Sequence, residues 1–551
     1  MRQRLVGKAW GSGASGPCAM RATGVRYLPA IAVVAGMFAA PALTSGCAVS
    51  ESDAHRWETT ENGPEKLYAI VGHEKYSWPL REEAALSLIR MRPRNGKRIG
   101  LEYLIVGYDT PTGRVPGILA VQTEDARRRI VDGIAPKLVE QMQRPPPPKP
   151  VEGQVITPDP SIPFKDAAFA LLSHEPPLAS NEATKASLMG ALTQWVQTDF
   201  EDRIDNSNQQ FGVEQIMRFI GAPSVKTLPN SITETSPKVD RACALVADIA
   251  DDETKKRASD ALVAMNKHIA SNDWLDKQRA LVVEANGKAK IAATPQQVND
   301  QLKQYQDQEL EKVFTNMKRV GGRPTVDYCL AYAQNKANSE KSRTNALAAL
   351  ENRIDKNSPG DTTIIVDILT DDANPDPVRA VAMARLGELP KEMILPKLYA
   401  LFDKKWKVRL DAARMVLRTI TTKDLPDFLQ HLPQNDKTKL ALSEPIAYGS
   451  LIMQMDPQGG PKPRDVLAKY LQGPLGAQLT AAGSYYSSKK SDATGLAALE
   501  ESKALVPKCD PADDCGWQCD VPKSPGSQEK ETKTVTTVGE FVRWCIEPSL
   551  Q

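Results

Sequence analysis

An all-α fold is what this 551-residue chain predicts: an α-α superhelix of stacked helix pairs, closed by a small Cys-rich C-terminal module. Three observations predict it. Apolar residues recur at i, i+3 and i+4 through most of the length, and no convincing series of alternating strands appears. One order of residue types returns at spacings of 30 and 36 residues. Four cysteines crowd the last 43 residues, in a segment rich in Pro, Gly and Asp that cannot build a core alone.

Composition sets the outer bounds. Apolar residues make up 41%, with 34 glycines beside them, which is ordinary for a globular protein and excludes disorder as the whole answer. The length suggests three or four domains at ~150 residues each. Lys and Arg number 70 against 68 Asp and Glu, a net charge of +2, so no electrostatic case exists for nucleic acid as a partner. Only 5 histidines leave little material for His-based catalysis or metal ligation, and no cofactor or metal is expected.

The N-terminus reads as an address. Arg2, Arg4, Lys8, Arg21 and Arg26 precede any acidic residue, the first being Glu51. Leu28 to Ala42 is an apolar run of 15 residues, too short to span a bilayer, which takes ~20. A basic region followed by such a run describes a secretory signal. Met20 offers an internal start, with Arg21 and Arg26 as its basic region. Leu43-Thr44-Ser45-Gly46-Cys47 follows and resembles the lipobox of bacterial lipoproteins, departing from it at Thr44. The resemblance implies lipidation at Cys47, a membrane partner through the lipid anchor, and a place in a bacterial cell envelope. Ala48 in place of Asp favours the outer membrane over the inner. The alternative is an ordinary signal cleaved after Ala40-Pro41-Ala42. Gly11 to Gly16 fits G-x-G-x-x-G, but no strand precedes it and no helix follows, so it is no dinucleotide site.

Residues 1–46 are therefore expected as signal peptide and 47–62 as tether. N-terminal helices at 63–143 follow, where Ile130, Ile134, Leu138 and Met142 form one stripe of a helix running Glu124 to Met142. A strand or a helix fits Leu101–Tyr108 equally. Prolines at 145–148, 150, 158, 160 and 163 make 144–163 a stiff linker. A middle helical region spans 164–320, in which Thr294-Pro295-Gln296-Gln297 has the chemistry of a helix start.

The repeat is clearest over 321–506. Pro396, Leu398, Leu401, Asp403, Val408-Arg409, Ala412-Ala413 and Leu417 set the order. Ile365, Ile368-Leu369, Asp371, Val378-Arg379, Ala382 and Leu386 return it 30 residues earlier at Arg379. Arg343, Ala346 and Leu350 repeat its second half. Leu245, Asp251 and Lys256-Arg257 are a copy near 239–265, and Pro64, Leu67, Leu80-Arg81 and Ala84-Ala85 another. This order resembles the HEAT repeat, a pair of antiparallel helices. The small Ala pair lets helices approach closely, and apolar positions at helical spacing fill the seam between layers. Asp376-Pro377 supplies a cap and a first-turn proline. The repeat arginine sits where it can reach the Asp of its own or a neighbouring repeat. Arg81, Asp251, Arg257, Arg343, Asp371, Arg379, Asp403 and Arg409 are thus a structural ladder.

Cys243 and Cys329 lie among apolar neighbours as buried thiols. Cys509, Cys515, Cys519 and Cys545 in the 507–551 cap read as two disulfides in an exported protein, with three possible pairings; zinc ligation and free thiols are the alternatives. No catalytic constellation appears. His73-Glu74 and His174-Glu175 lack the second histidine of a zinc protease, and neither G-x-S-x-G nor a P-loop occurs. Asp251-Asp252 and Asp371-Asp372 fall at repeat turns, where acids cap helices. The expected function is a non-enzymatic, lipid-anchored envelope scaffold that binds a protein partner through its repeat surface. A structural envelope protein, a small-ligand carrier and a repeat-containing lyase are the alternatives.

Overall fold

A computed structural model describes residues 49–147, 159–198, 210–289, 293–371, 373–404, 406–434, 440–488, 493–507, 516–524 and 527–550. Residues 1–50 form one unit and 51–551 another. The second is an all-α helical-repeat solenoid; among the described residues its strands make only two short hairpins.

Stacking follows one rule where the repeat is clearest. Helix Arg323–Gln334 packs on Glu340–Ala349, and Pro359–Thr370 on Asp376–Leu386. First helix then meets first helix and second meets second in the next pair. Each pair thus buries its apolar face against its neighbours only, as a solenoid requires. The small repeat positions Ala346, Ala382 and Ala412 have no exposed surface, because two helices meet there. Helices Lys391–Ala400 and Trp406–Thr419 continue the stack through Ser443–Met453. A close approach comes next: a Cβ on Gly449 would stand 2.2 Å from the Ser484 nitrogen, and one on Gly483 2.2 Å from the Pro445 oxygen. Helices Ser443–Met453 and Leu475–Ser488 therefore touch backbone to backbone.

Several elements depart from the sequence reading. Residues 51–57, within the expected tether, form helix Glu51–Trp57 against helix Trp78–Arg90. Acids in its first turn and bases in its last complement the helix dipole, and Ala54 is fully buried. At Leu101–Tyr108 both readings hold in part. Helix Ile99–Leu101 runs into a π-turn at Glu102–Val106, and strand Tyr108–Thr110 then pairs with Gly113–Val115. Gly107, at φ +89°, makes the switch, where a Cβ would meet the Val115 oxygen at 2.7 Å. Helix Glu124–Met142 buries its predicted stripe, and Thr294 forms a full capping box with Gln297. Pro377 lies in a first turn as expected, but Asp376 is the first helical residue and Pro375 holds the cap position.

Candidate partner-binding surface

The ladder arginines sort into two environments. Arg81, Arg343 and Arg409 are buried. Arg81 Nε donates to the Val71 oxygen at 2.9 Å, and its Nη2 to Gln122 Oε1 at 3.0 Å. Arg343 Nε donates to the Ala333 oxygen at 2.8 Å and its Nη2 to Asn374 Oδ1 at 2.6 Å. Arg409 donates through Nη1 to the carbonyls of Phe402 and Lys404, both at 3.1 Å, and through Nε and Nη2 to Glu444 at 2.7 and 3.0 Å. Each bonds backward to the end of its own pair's first helix or turn and forward to a later element. Burial pushes the Arg81 and Arg343 guanidinium pKa values down. At Arg409 burial acts the same way, but Glu444 more than offsets it.

Of the expected aspartates, Asp371 acts on the ladder arginine Arg343 through its charge, while the hydrogen bonds of the buried ladder arginines go to other acceptors. Asp403 is exposed and is not the partner of Arg409. Asp251 accepts from the Thr254 nitrogen at 2.8 Å, and Asp371 accepts from the Ala373 nitrogen at 3.0 Å while facing Lys336. Asp251 is engaged by the backbone of the helix it caps, and Asp371 by its own turn and by Lys336 of the preceding pair. Arg379 pairs with Asp376 one turn away, and Arg257 reaches the Lys226 oxygen and Asn230 on the solvent side. The acceptors that matter, Gln122, Asn374 and Glu444, escaped the sequence reading. Glu444 left one signal, an acid before Pro445 within an apolar run.

Cys519 and Cys545 are bonded, with Cα atoms 5.5 Å apart. Cys47, Cys509 and Cys515 lie outside the described residues. Cys243 and Cys329 are free and buried, and burial pushes the Cys243 thiol up to about 12. Among the described residues no group of three or more His, Cys, Asp or Glu is placed to hold a metal, and no helix is long and apolar enough to cross a membrane.

The feature least accounted for by packing is a two-helix arm. Helix Asn272–Lys288 leaves the stack and lies along the first half of helix Pro295–Val320. Ser271 caps it through the Trp274 nitrogen at 3.2 Å. Trp274 is its one buried residue; the ring stacks on Tyr305 with centroids 5.5 Å apart, and Nε1 donates to Glu234. Val298 and Leu302 are buried on the first half of helix Pro295–Val320. Beyond Trp274 the helix exposes Leu281 to 57% and Val283 to 54%. At the base an open cleft of about 400 Å³ separates the arm from the next helix pair, with Leu275, Arg279, Lys303, Asp307 and Asn338 in its walls. The only sequence signal for the arm is Ala280-Leu281-Val282-Val283, an apolar run longer than one helix face can bury.

No family model matches the chain, and no curated protein matches it. Solved structures do. The karyopherin Kap121p bound to the SUMO protease Ulp1p is 13% identical over 82% of this chain and 45% of that one, with a TM-score of 0.27. Importin beta is 12% identical over 82% and 53%, at 0.22. The RNA-binding domain of yeast Puf5p bound to AAT2 RNA is 11% identical over 80% and 98%, at 0.22. The chain spans about half the length of the karyopherin and importin chains it matches. Scores this low carry no argument about binding, and the helix-pair stacking itself carries the repeat assignment.

Proposed function

We infer that the protein is a non-enzymatic scaffold that binds a protein partner along its helical-repeat surface, with the arm as the gripping element. One observation carries this reading: helix Asn272–Lys288 buries a single residue in the chain's own fold yet presents Leu281 and Val283 to solvent. A short helix is marginal in water without tertiary packing, so an arm of this kind gains most when a partner covers it. The base cleft adds charged groups of both signs, Arg279, Lys303 and Asp307, which would orient the partner. The paired acids are engaged locally: Asp251 caps helix Asp252–Ile269 through the Thr254 nitrogen, and Asp371 holds its own turn through the Ala373 nitrogen.

The reading includes a lipid anchor at Cys47 in a bacterial envelope, supported by the basic start, the apolar run and the lipobox-like Leu43 to Cys47. One acyl chain holds a protein to a membrane only marginally, so the anchor implied is a multiply acylated cysteine.

A photo-crosslinking residue at Leu281, in the full chain in its native cells, tests the scaffold. A discrete protein adduct at Leu281, absent with the same residue at Arg144 and lost in Val283→Glu, is expected. No adduct at Leu281 or Val283 over several growth states would overturn it. Cys47→Ala should move the processed protein out of the detergent phase; retention there would place the anchor elsewhere.

A further inference from the structure

An open cleft of about 690 Å³ lies where the turn before helix Trp78–Arg90 meets the first turns of helix Glu124–Met142. That volume is within the range of small-ligand sites. Its walls carry three cations and three acids, and half of these six groups already have partners. Arg128 pairs with Asp125 at 3.0 Å, and Asp132 accepts from Asn181 at 3.0 Å and from Thr184. Arg81, Arg129 and Glu74 remain.

Arg81 is only 1% exposed, yet it lines the cleft. Val71 and Gln122 take its Nε and Nη2, and among the described residues its Nη1 has no hydrogen-bond partner. The Arg129 guanidinium lies over the Trp78 ring at 4.5 Å, and the Arg81 guanidinium over the same ring at 4.2 Å. Among the described residues Arg129 makes no hydrogen bond or ion pair, and Glu82, outside the cleft wall, meets it through charge alone. Glu74 is exposed and acts on Arg81 through charge alone.

The two guanidiniums are held in place before any ligand arrives. Trp78 attracts both by cation–π contact, and Gln122 steadies Arg81 while donating to the Gly72 oxygen at 3.4 Å. Two like charges on one ring repel, and a carboxylate beside them removes that repulsion. A guanidinium fork also matches a carboxylate in shape, and groups ordered in advance lose little entropy on binding. The ligand that complements two donors of positive charge and one free acid carries a carboxylate and an ammonium. Tyr76, Trp78 and Ala126 add apolar wall for what lies between those ends.

We propose that this cleft binds a short peptide with free ends, its C-terminal carboxylate taken by Arg81 Nη1 and Arg129 and its N-terminal ammonium by Glu74. The site stands on other helices than the arm, and it does not depend on what the arm grips.

Fluorine NMR of the full chain carrying fluorotryptophan tests this, with the Trp78 signal identified by its loss in Trp78→Phe. Millimolar trialanine should shift that signal. Trialanine amide should bind on the order of tenfold more weakly, since a charge-assisted bond is lost, and N-acetyl-trialanine several-fold more weakly. In Arg129→Gln the acid and the amide should approach one another in affinity. In Glu74→Gln the free and the acetylated peptide should do so. Both side chains are exposed, so neither variant should change the melting temperature. Arg81 is left intact, because its loss would weaken the fold. No shift with millimolar trialanine, or equal binding of acid and amide by the wild type, overturns the proposal. Acetate as effective as trialanine also overturns it, since the cleft would then take any small anion.

Discussion

Arg409 gives the sharpest test of the repeat assignment. Its guanidinium and the Glu444 carboxylate are both buried, the latter without exposed surface. Arg409→Ala would leave that carboxylate with the Tyr448 hydroxyl at 2.7 Å and the Ala441 nitrogen at 2.7 Å, and strip the Phe402 and Lys404 carbonyls of their donor. Breaking a buried pair by removing one partner costs roughly 3–5 kcal/mol, mostly through the orphaned charge. Arg379 occupies the same repeat position 30 residues earlier, yet its bridge partner Asp376 is 72% exposed, so that ion pair is worth under ~1 kcal/mol. The two substitutions should therefore differ, although the sequence pattern makes them equivalent. Long repeat arrays need not unfold in one step, so local opening is the better readout. Amide exchange in helices Trp406–Thr419 and Ser443–Met453 should accelerate on the order of 10²–10³-fold in Arg409→Ala, and under about fivefold near Arg379 in Arg379→Ala. Arg144, exposed and paired only with Glu140, should be silent when changed to Ala. Replacing both partners, Arg409→Met with Glu444→Leu, should restore most of the protection, because no buried charge is then orphaned. Equal effects at Arg379 and Arg409, or a double variant as weak as the single, would refute the reasoning.

Three further outcomes follow from the same geometry. Burial raises the Asp361 pKa, but the Arg323 hydrogen bonds at 2.7 and 2.8 Å outweigh it and hold the carboxyl below its ordinary value. Its contribution is then complete above the unfolded carboxylate pKa of about 3.9 and lost as pH falls through the folded value. Asp361→Asn should cost roughly 1.5–3 kcal/mol at pH 7, a gap that closes toward pH 3 in urea titrations. Reducing Cys519–Cys545, which closes a separation of 26 residues, should destabilise the terminal hairpin by roughly 3 kcal/mol and leave the far-ultraviolet helical signal in place. Gly483→Leu would drive a side chain into the Pro445 carbonyl and should lower the melting temperature by several degrees, whereas Gly190→Leu, with open space around it, should not.

Spacing made the helix pairs legible in the sequence. Val378 and Val408, or Ala382 and Ala412, repeat because each must fit the same gap between layers. The capping box at Thr294 was legible for a similar reason, since its whole chemistry lies within four residues. Ladder acceptors were not, because a forward bond spans 41 residues at Arg81, 31 at Arg343 and 35 at Arg409, and no local rule fixes which side chain arrives there. Gly449 and Gly483 read only as helix-weakening residues until their helices are seen to cross. The arm was hidden because its periodicity is that of any amphipathic helix; what marks it is the missing neighbour on its outer face, which only the fold reveals.

The identity of the acceptors follows from what lies behind each arginine. Arg81 and Arg343 donate to carbonyls in the last turn of an α-helix, at Val71 and Ala333. Those carbonyls lack intrahelical donors and sit at the negative end of the helix dipole. A guanidinium placed there meets partial negative charge from its own pair, to which Glu74 adds at Arg81 and Asp371 at Arg343, so a neutral amide, Gln122 or Asn374, suffices as the forward hydrogen-bond acceptor. Arg409 instead meets the carbonyls of a short 3-10 turn, Leu401–Asp403, and of Lys404 just after it, where aligned peptide dipoles are few. The missing counter-charge is supplied in full by Glu444. The repeat arginine is thus a helix C-cap first and a stitch to the next layer second. It is retained in buried copies whatever the acceptor, and where it turns to solvent, as at Arg257, it stitches layers without the cost of burying a charge.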